Sequence, residues 1–172
     1  MSTLLALCHH RWSLPVLAEI GRTGGSRFAT LGGRLGVAGE SLRRTLAYLQ
    51  EEGLVERNLG YGHPLRAEYV LTPGGRRVAP HAAEILEALT GREDVGLKKW
   101  SLPVLAALTE PRRFSELRAE LPVTARGLAL ALKELEAAGL VRRTVTDDRP
   151  PQTRYEAAPP AEGMVRAARR LG

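Results

Sequence analysis

The sequence predicts a mainly α-helical α+β protein with small β wings, built as two tandem copies of one unit. Three observations lead there. The stretch Trp12-Ser13-Leu14-Pro15-Val16-Leu17-Ala18 returns unchanged as Trp100-Ser101-Leu102-Pro103-Val104-Leu105-Ala106, each copy preceded by a basic residue, Arg11 or Lys99. In both copies a helical run is broken, at Gly36 or Pro122, before a second and strongly amphipathic run. In both copies a turn-rich hairpin pattern follows. An 88-residue period is too long for a solenoid repeat and suits a small domain. The expected domains are therefore 1–90, including a C-terminal linker helix, and 91–172.

Taken in order, residues 2–10 suggest a short amphipathic helix through Leu4, Leu5 and Leu7. Ser13 is a suitable N-cap, Pro15 fits the first turn, and Leu14, Leu17 and Ile20 keep helical spacing as far as Gly21. Gly24-Gly25-Ser26 make a turn. The second copy repeats this from Ser101 to near Pro111, and the recurring Trp12 and Trp100 are expected in the cores.

From Arg27 the copies align without a gap at an offset of 86, Arg27-Phe28-Ala29-Thr30-Leu31 facing Arg113-Phe114-Ser115-Glu116-Leu117. Leu42, Leu46 and Leu49 then match Leu128, Leu132 and Leu135 as one apolar stripe, with Arg43, Arg44 and Ala47 turned away from it. Gly53 and Gly139 stop these helices. The hairpins run over 55–59 with 67–71 and over 141–145 with 153–157, around turns rich in Gly, Asp and Pro. Thr72-Pro73-Gly74-Gly75 reads as a further turn, followed by a helix over 78–89 and a linker at Gly91-Arg92-Glu93-Asp94. A last helix takes its apolar face from Met164, Val165, Ala168 and Leu171.

Composition narrows the partners. The chain of 172 residues carries a formal charge of +6, with ten basic against eight acidic residues up to Ala88 and fifteen against eleven from Leu89. The basic residues are mostly arginine, whose planar fork matches phosphates and guanine edges. The one cysteine, Cys8, forms no internal disulfide and suits a reducing cytoplasm. The N-terminal apolar run is too short to span a membrane and lacks a basic leader, so a cytoplasmic protein without signal peptide or membrane partner is expected.

A short helix, a breaker and an amphipathic helix with outward basic residues make the helix-turn-helix pattern, whose second helix, here about 39–52, can enter a major groove. The hairpin beyond it is a wing. Arg11-Trp12-Ser13-Leu14-Pro15-Val16-Leu17, Arg27-Phe28-x-x-Leu31, Leu46-x-x-Leu49-x-x-x-Gly53-Leu54-Val55-x-Arg57 and Glu68-Tyr69-x-Leu71-Thr72-x-x-Gly75 resemble the HxlR family of bacterial winged-helix transcription regulators, which is MarR-related. The second copy is similar through Lys99-Trp100, Arg113-Phe114-Ser115-Glu116-Leu117, Leu135-Glu136-x-x-Gly139-Leu140-Val141-x-Arg143 and Arg154-Tyr155. The resemblance implies sequence-specific binding of double-stranded DNA by a homodimer of single domains. For a fused pair it implies an intramolecular pseudo-dimer, with residues 78–89 and the C-terminal helix in the dimerising role.

The residues assigned to DNA are Ser41, Arg43 and Arg44 on the first reading helix, Arg126 and Lys133 on the second, and His63, Arg66, Arg149 and Arg154 in the wings. Arg27 and Arg113 are expected to brace the fold. The first copy has Ala38-Gly39 where the family carries a hydroxyl cap, whereas the second keeps Thr124. Because Ala125, Ala129 and Leu130 stand outward on the second reading helix, that copy is expected to hold phosphates more than read bases. Those apolar residues also leave open a protein-interaction scaffold as the alternative function, with a partner on the second domain, and a further homodimer. Some family members sense oxidants through an N-terminal cysteine, but Cys8 lies nearer Trp12 than that residue does, so a structural thiol is expected. Cys8-His9-His10 cannot all face one ion, and no metal or cofactor is expected. No nucleophile with a base, paired carboxylates or phosphate loop points to an enzyme.

Overall fold

The computed structural model describes residues 3–59 and 67–171. The chain forms two tandem winged helix-turn-helix units. One compact unit comprises His9–Leu86, here the first unit; the other comprises Met1–Cys8 with Glu87–Gly172, the second. The sequence places the first eight residues with the first domain and the division after residue 90, whereas the contacts group those residues with the second unit. Helix α1 (Thr3–Leu7) buries Leu4 and Leu7, and the Leu4 N–H donates to the Leu171 carbonyl at 2.9 Å.

The first unit begins with α2 (Ser13–Thr23), which buries Leu14, Leu17 and Ile20. Its N-cap is Trp12 rather than Ser13; Ser13 is the first helical residue, and its buried hydroxyl has no hydrogen-bond partner. In the second unit the matching Ser101 hydroxyl donates to the Val95 carbonyl at 2.7 Å. The helix runs past Gly21 and stops at Gly24, whose φ of 76° lets its N–H reach the Ile20 carbonyl. Trp12 is only half-buried, with the Arg11 guanidinium 6.0 Å from its ring; Trp100 is likewise half-buried, beneath Lys99 at 5.4 Å. The tryptophans cover the core edge, where each indole can keep a cation on one face.

Helix α3 (Phe28–Leu35) ends at Gly36 (φ 62°), and α4 (Gly39–Glu51) follows. Leu42, Leu46 and Leu49 face inward as their spacing requires, and α4 packs on α2 and α3. Strands β1 (Val55–Asn58) and β2 (Glu68–Leu71) pair antiparallel, Val55 opposite Leu71 and Asn58 opposite Glu68. Ser26 adds an isolated bridge to Tyr69.

Helix α5 (Pro73–Ala88) starts five residues before the expected 78. Thr72-Pro73-Gly74-Gly75 is a helix start rather than a free turn. The Thr72 hydroxyl accepts from the Gly75 N–H at 3.0 Å and donates to the Gly53 carbonyl at 2.7 Å, while Pro73 takes the first helical position, where its missing N–H costs nothing. Gly75 is needed because a Cβ there would run into the Leu54 carbonyl oxygen. Gly75→Ala should therefore lower unfolding stability by about 1–3 kcal/mol, the range for overpacking, read as a shifted midpoint in urea.

The second unit continues through α6 (Glu93–Gly96), which begins within the expected linker 91–94 and runs past it, to α7 (Ser101–Ala107), which ends before Pro111. Strand β3 (Arg112–Arg113), helix α8 (Phe114–Glu120) and helix α9 (Ala125–Ala137) come next. Strands β4 (Val141–Val145) and β5 (Thr153–Ala157) keep the predicted limits and form a three-stranded sheet in the order β3-β5-β4. The counterpart of Gly75 is Ala161, and here the chain enters its last helix α10 (Glu162–Arg169) through a 3-10 turn at Pro159–Ala161. Met164, Ala168 and Leu171 are buried and Val165 half-buried. No helix among the described residues is long and apolar enough to cross a membrane.

Candidate nucleic-acid interface

The reading face of the first unit follows from the period of α4. With Leu42, Leu46 and Leu49 no more than 1% exposed, the residues on the far side of the helix are pushed outward. Glu40, Ser41, Arg43, Arg44 and Ala47 are all exposed. Thr45 is the one polar residue on the buried face, and its hydroxyl is satisfied by the Ser41 carbonyl at 2.9 Å. Ala38 caps the helix without a side-chain bond, as its residue type requires.

Arg43 and Arg44 are 68% and 70% exposed, and both are tied to one carboxylate. Arg43 Nη1 donates to Glu40 Oε2 at 2.6 Å and Arg44 Nε to Glu40 Oε1 at 2.9 Å. Arg43 also stands 6.0 Å from the Phe28 ring. Hydrogen bonds from Arg44 and then Arg43 hold the Glu40 carboxyl below its ordinary pKa. The depressed pKa means the clamp is intact at neutral pH and opens only as pH falls through the lowered value. Glu40 was not singled out by sequence reasoning. Its i+3 and i+4 spacing to the two arginines is the signal that reveals it.

The second unit presents a different surface. Thr124 caps α9, its hydroxyl accepting from the Gly127 N–H at 3.1 Å. Arg126 and Lys133 are exposed, but between them Ala129 and Leu130 face outward, Leu130 at 55% exposure. Arg126 occupies the place of Glu40, so α9 has a cation at its start, and among the described residues no carboxylate bonds to it.

In the wings, His63 and Arg66 lie outside the described residues. Arg149 is exposed in the turn between β4 and β5. Arg154 sits in β5 opposite Arg113 and Thr144, half-buried, with its Nε shielded and unpartnered. Exposed Arg143 on β4 is better presented. Arg113 serves the fold: its backbone N–H and guanidinium both donate to Glu116 at 2.8 Å, capping α8. Arg27 lies 3.7 Å from Glu68.

His9 stacks on Tyr48 at a centroid distance of 5.3 Å, and the His10 ring lies tilted against it at 4.8 Å. Cys8 is 6% exposed, and burial pushes its thiol up to about 12. A thiolate is the reactive form, so the folded protein should resist iodoacetamide at pH 8 and react once unfolded. Rapid labelling of the native chain would contradict this. Because the folded pKa is the higher one, the contribution to stability is present below about 9.0 and declines between there and about 12.

Comparison with known proteins agrees with this geometry. Both halves match the family described as HxlR-like helix-turn-helix, over residues 7–92 and 95–167. A curated relative from Methanothermobacter thermautotrophicus, described as an uncharacterized HTH-type transcriptional regulator, is 41% identical over 59 residues. That match takes in 33% of this chain and 45% of the relative, so the chain spans less than half the length of the curated relative it matches. A solved structure described as a transcriptional regulator of the MarR family, from Porphyromonas gingivalis W83, is 22% identical with a TM-score of 0.42, covering 45% of this chain and 78% of that one.

Proposed function

From the premise that the chain belongs to the HxlR-like helix-turn-helix family through both of its halves, we propose that it is a sequence-specific DNA-binding regulator in which one chain supplies both reading modules of a pseudo-dimer. The first unit reads bases with α4 in the major groove. The second, through Arg126, Lys133 and the Arg149 wing, mainly holds phosphates. The observation that carries this reading is the exposed Arg43–Arg44 face of α4, set directly opposite a fully buried leucine stripe. Bidentate arginine contacts to guanine O6 and N7 are the commonest base-specific contact, whereas isolated cations set between apolar residues suit backbone contact.

Selection of bound sequences from a random duplex pool, followed by titration at several salt concentrations, tests the proposal. Neutralisation of several phosphates requires affinity to fall steeply as salt rises. The pseudo-dimer requires one chain per duplex to protect more than a single half-site. Lys133→Ala should weaken all sequences alike, and an effect on sequence preference equal to that of Arg43→Ala would overturn the division of labour.

The exposure of Leu130 favours a second reading, in which α9 docks a protein partner. Absence of duplex binding at low salt would favour it.

A further inference from the structure

Of the two reading arginines, Arg43 has an aromatic ring at its side. Phe28, the first residue of α3, is half-buried, and the Arg43 guanidinium carbon stands 6.0 Å from its ring centroid, within reach of a cation–π contact. The ring also lies by the start of α4, where a Cβ on Gly39 would come 3.9 Å from it. Gly39 and Arg43 stand at i and i+4 on one helix face, and long helical side chains run back toward the N-terminus. Arg43 therefore extends over a residue with no side chain, and its path to the ring is clear. Among the described residues no ring stands beside Arg44.

The two partners of Arg43 hold different parts of it. Glu40 takes an N–H of the fork at 2.6 Å, so it competes with any base that needs that edge. A ring meets the flat face of a guanidinium and leaves the N–H edge free. Arg43 can thus leave Glu40 for a guanine without leaving Phe28, and a side chain already held loses less freedom on binding. The second unit keeps the ring without the cation. Phe114 is the counterpart of Phe28 and likewise half-buried, but Ala129 stands in the place of Arg43. Among the described residues no cation lies by the Phe114 ring.

We propose that Phe28 is a positioning residue for base reading, its ring steering the Arg43 guanidinium to a guanine, a task that Phe114 does not have. The proposal rests on the reading in which α4 enters the major groove.

Phe28→Leu and Phe28→Tyr, each alone and combined with Arg43→Ala, test it in the full chain against the selected operator and its single-base-pair variants. Phe28→Leu should weaken operator binding roughly two- to fivefold, the size of an exposed cation–π contact. The loss should fall on the base pair whose preference Arg43→Ala abolishes, and should vanish in the Arg43→Ala background. The salt slope should not change, because no phosphate contact is removed. Phe28→Tyr, which keeps the ring, should bind as the parent does, and Phe114→Leu should leave base preference intact. In the free protein, NMR relaxation of the Arg43 Nε–H should show more motion in Phe28→Leu and not in Phe28→Tyr. No loss in Phe28→Leu, equal losses with and without Arg43, a loss spread evenly over the operator, or unchanged Arg43 motion would each overturn the proposal and leave DNA reading by α4 standing. Arg43→Ala without effect on base preference would overturn both.

Discussion

Replacing Arg43 and Arg44 together by alanine should lower affinity for the selected operator roughly 10²- to 10³-fold and flatten the preference among sequences. Each well-made bidentate arginine contact discriminates by about 1–3 kcal/mol, and two adjacent ones act on neighbouring bases. The fold should survive, because both side chains are exposed and the carboxylate they share, Glu40, is exposed as well. Circular dichroism of the variant therefore separates lost reading from lost structure. Arg126→Ala should instead weaken binding uniformly and reduce the salt slope by about one phosphate. A double variant at 43 and 44 that kept its sequence preference would remove the first unit's assigned role. Glu40→Gln tests the same face from the other side. Freed of its carboxylate, the face should bind random duplex roughly fivefold more tightly at low salt, the scale of one exposed charge, while operator selectivity declines. The gain should vanish as salt is raised, because an exposed charge is screened.

Leu46→Ala should strongly destabilise the first unit. The side chain is 1% exposed in the stripe that seats α4 on α2, and truncating a buried leucine costs about 2–5 kcal/mol through lost transfer energy and the cavity left behind. Against a total stability of about 5–15 kcal/mol, that is a large part of what keeps such a domain folded. Denaturant unfolding should show the midpoint falling, and DNA affinity should fall with it as the helix loses its seat. Saturating operator DNA should restore part of the midpoint, because a ligand of the folded state raises its stability. Leu132→Ala, at the matching and equally buried position of α9, should destabilise comparably but spare base preference. A change below about 1 kcal/mol in Leu46→Ala would mean that α4 is held by something other than its stripe.

Much of the first unit was legible because its cues are local. Leucines at i, i+4 and i+7 mark the buried face of α4 whatever the rest of the chain does, and Gly36 and Gly53 end helices by adopting positive φ. The misreadings were also local cues, overruled by distant atoms. Gly74-Gly75 reads as a turn, yet the Leu54 carbonyl leaves room there only for glycine, and Thr72 with Pro73 begins a helix instead. Ser13 reads as a cap, yet the chain places Trp12 at that position.

By itself the sequence determined the duplication, through its repeated motif, and the order and limits of most elements and the arginine face of α4, since those depend on residues within a turn or two of one another. Only the tertiary structure decided that α1 joins the unit built from the far end of the chain. It alone set the Thr72 hydroxyl on the Gly53 carbonyl and the Leu54 carbonyl where position 75 has room only for glycine. Those outcomes depend on groups that meet across long stretches of chain, and linear spacing does not encode that.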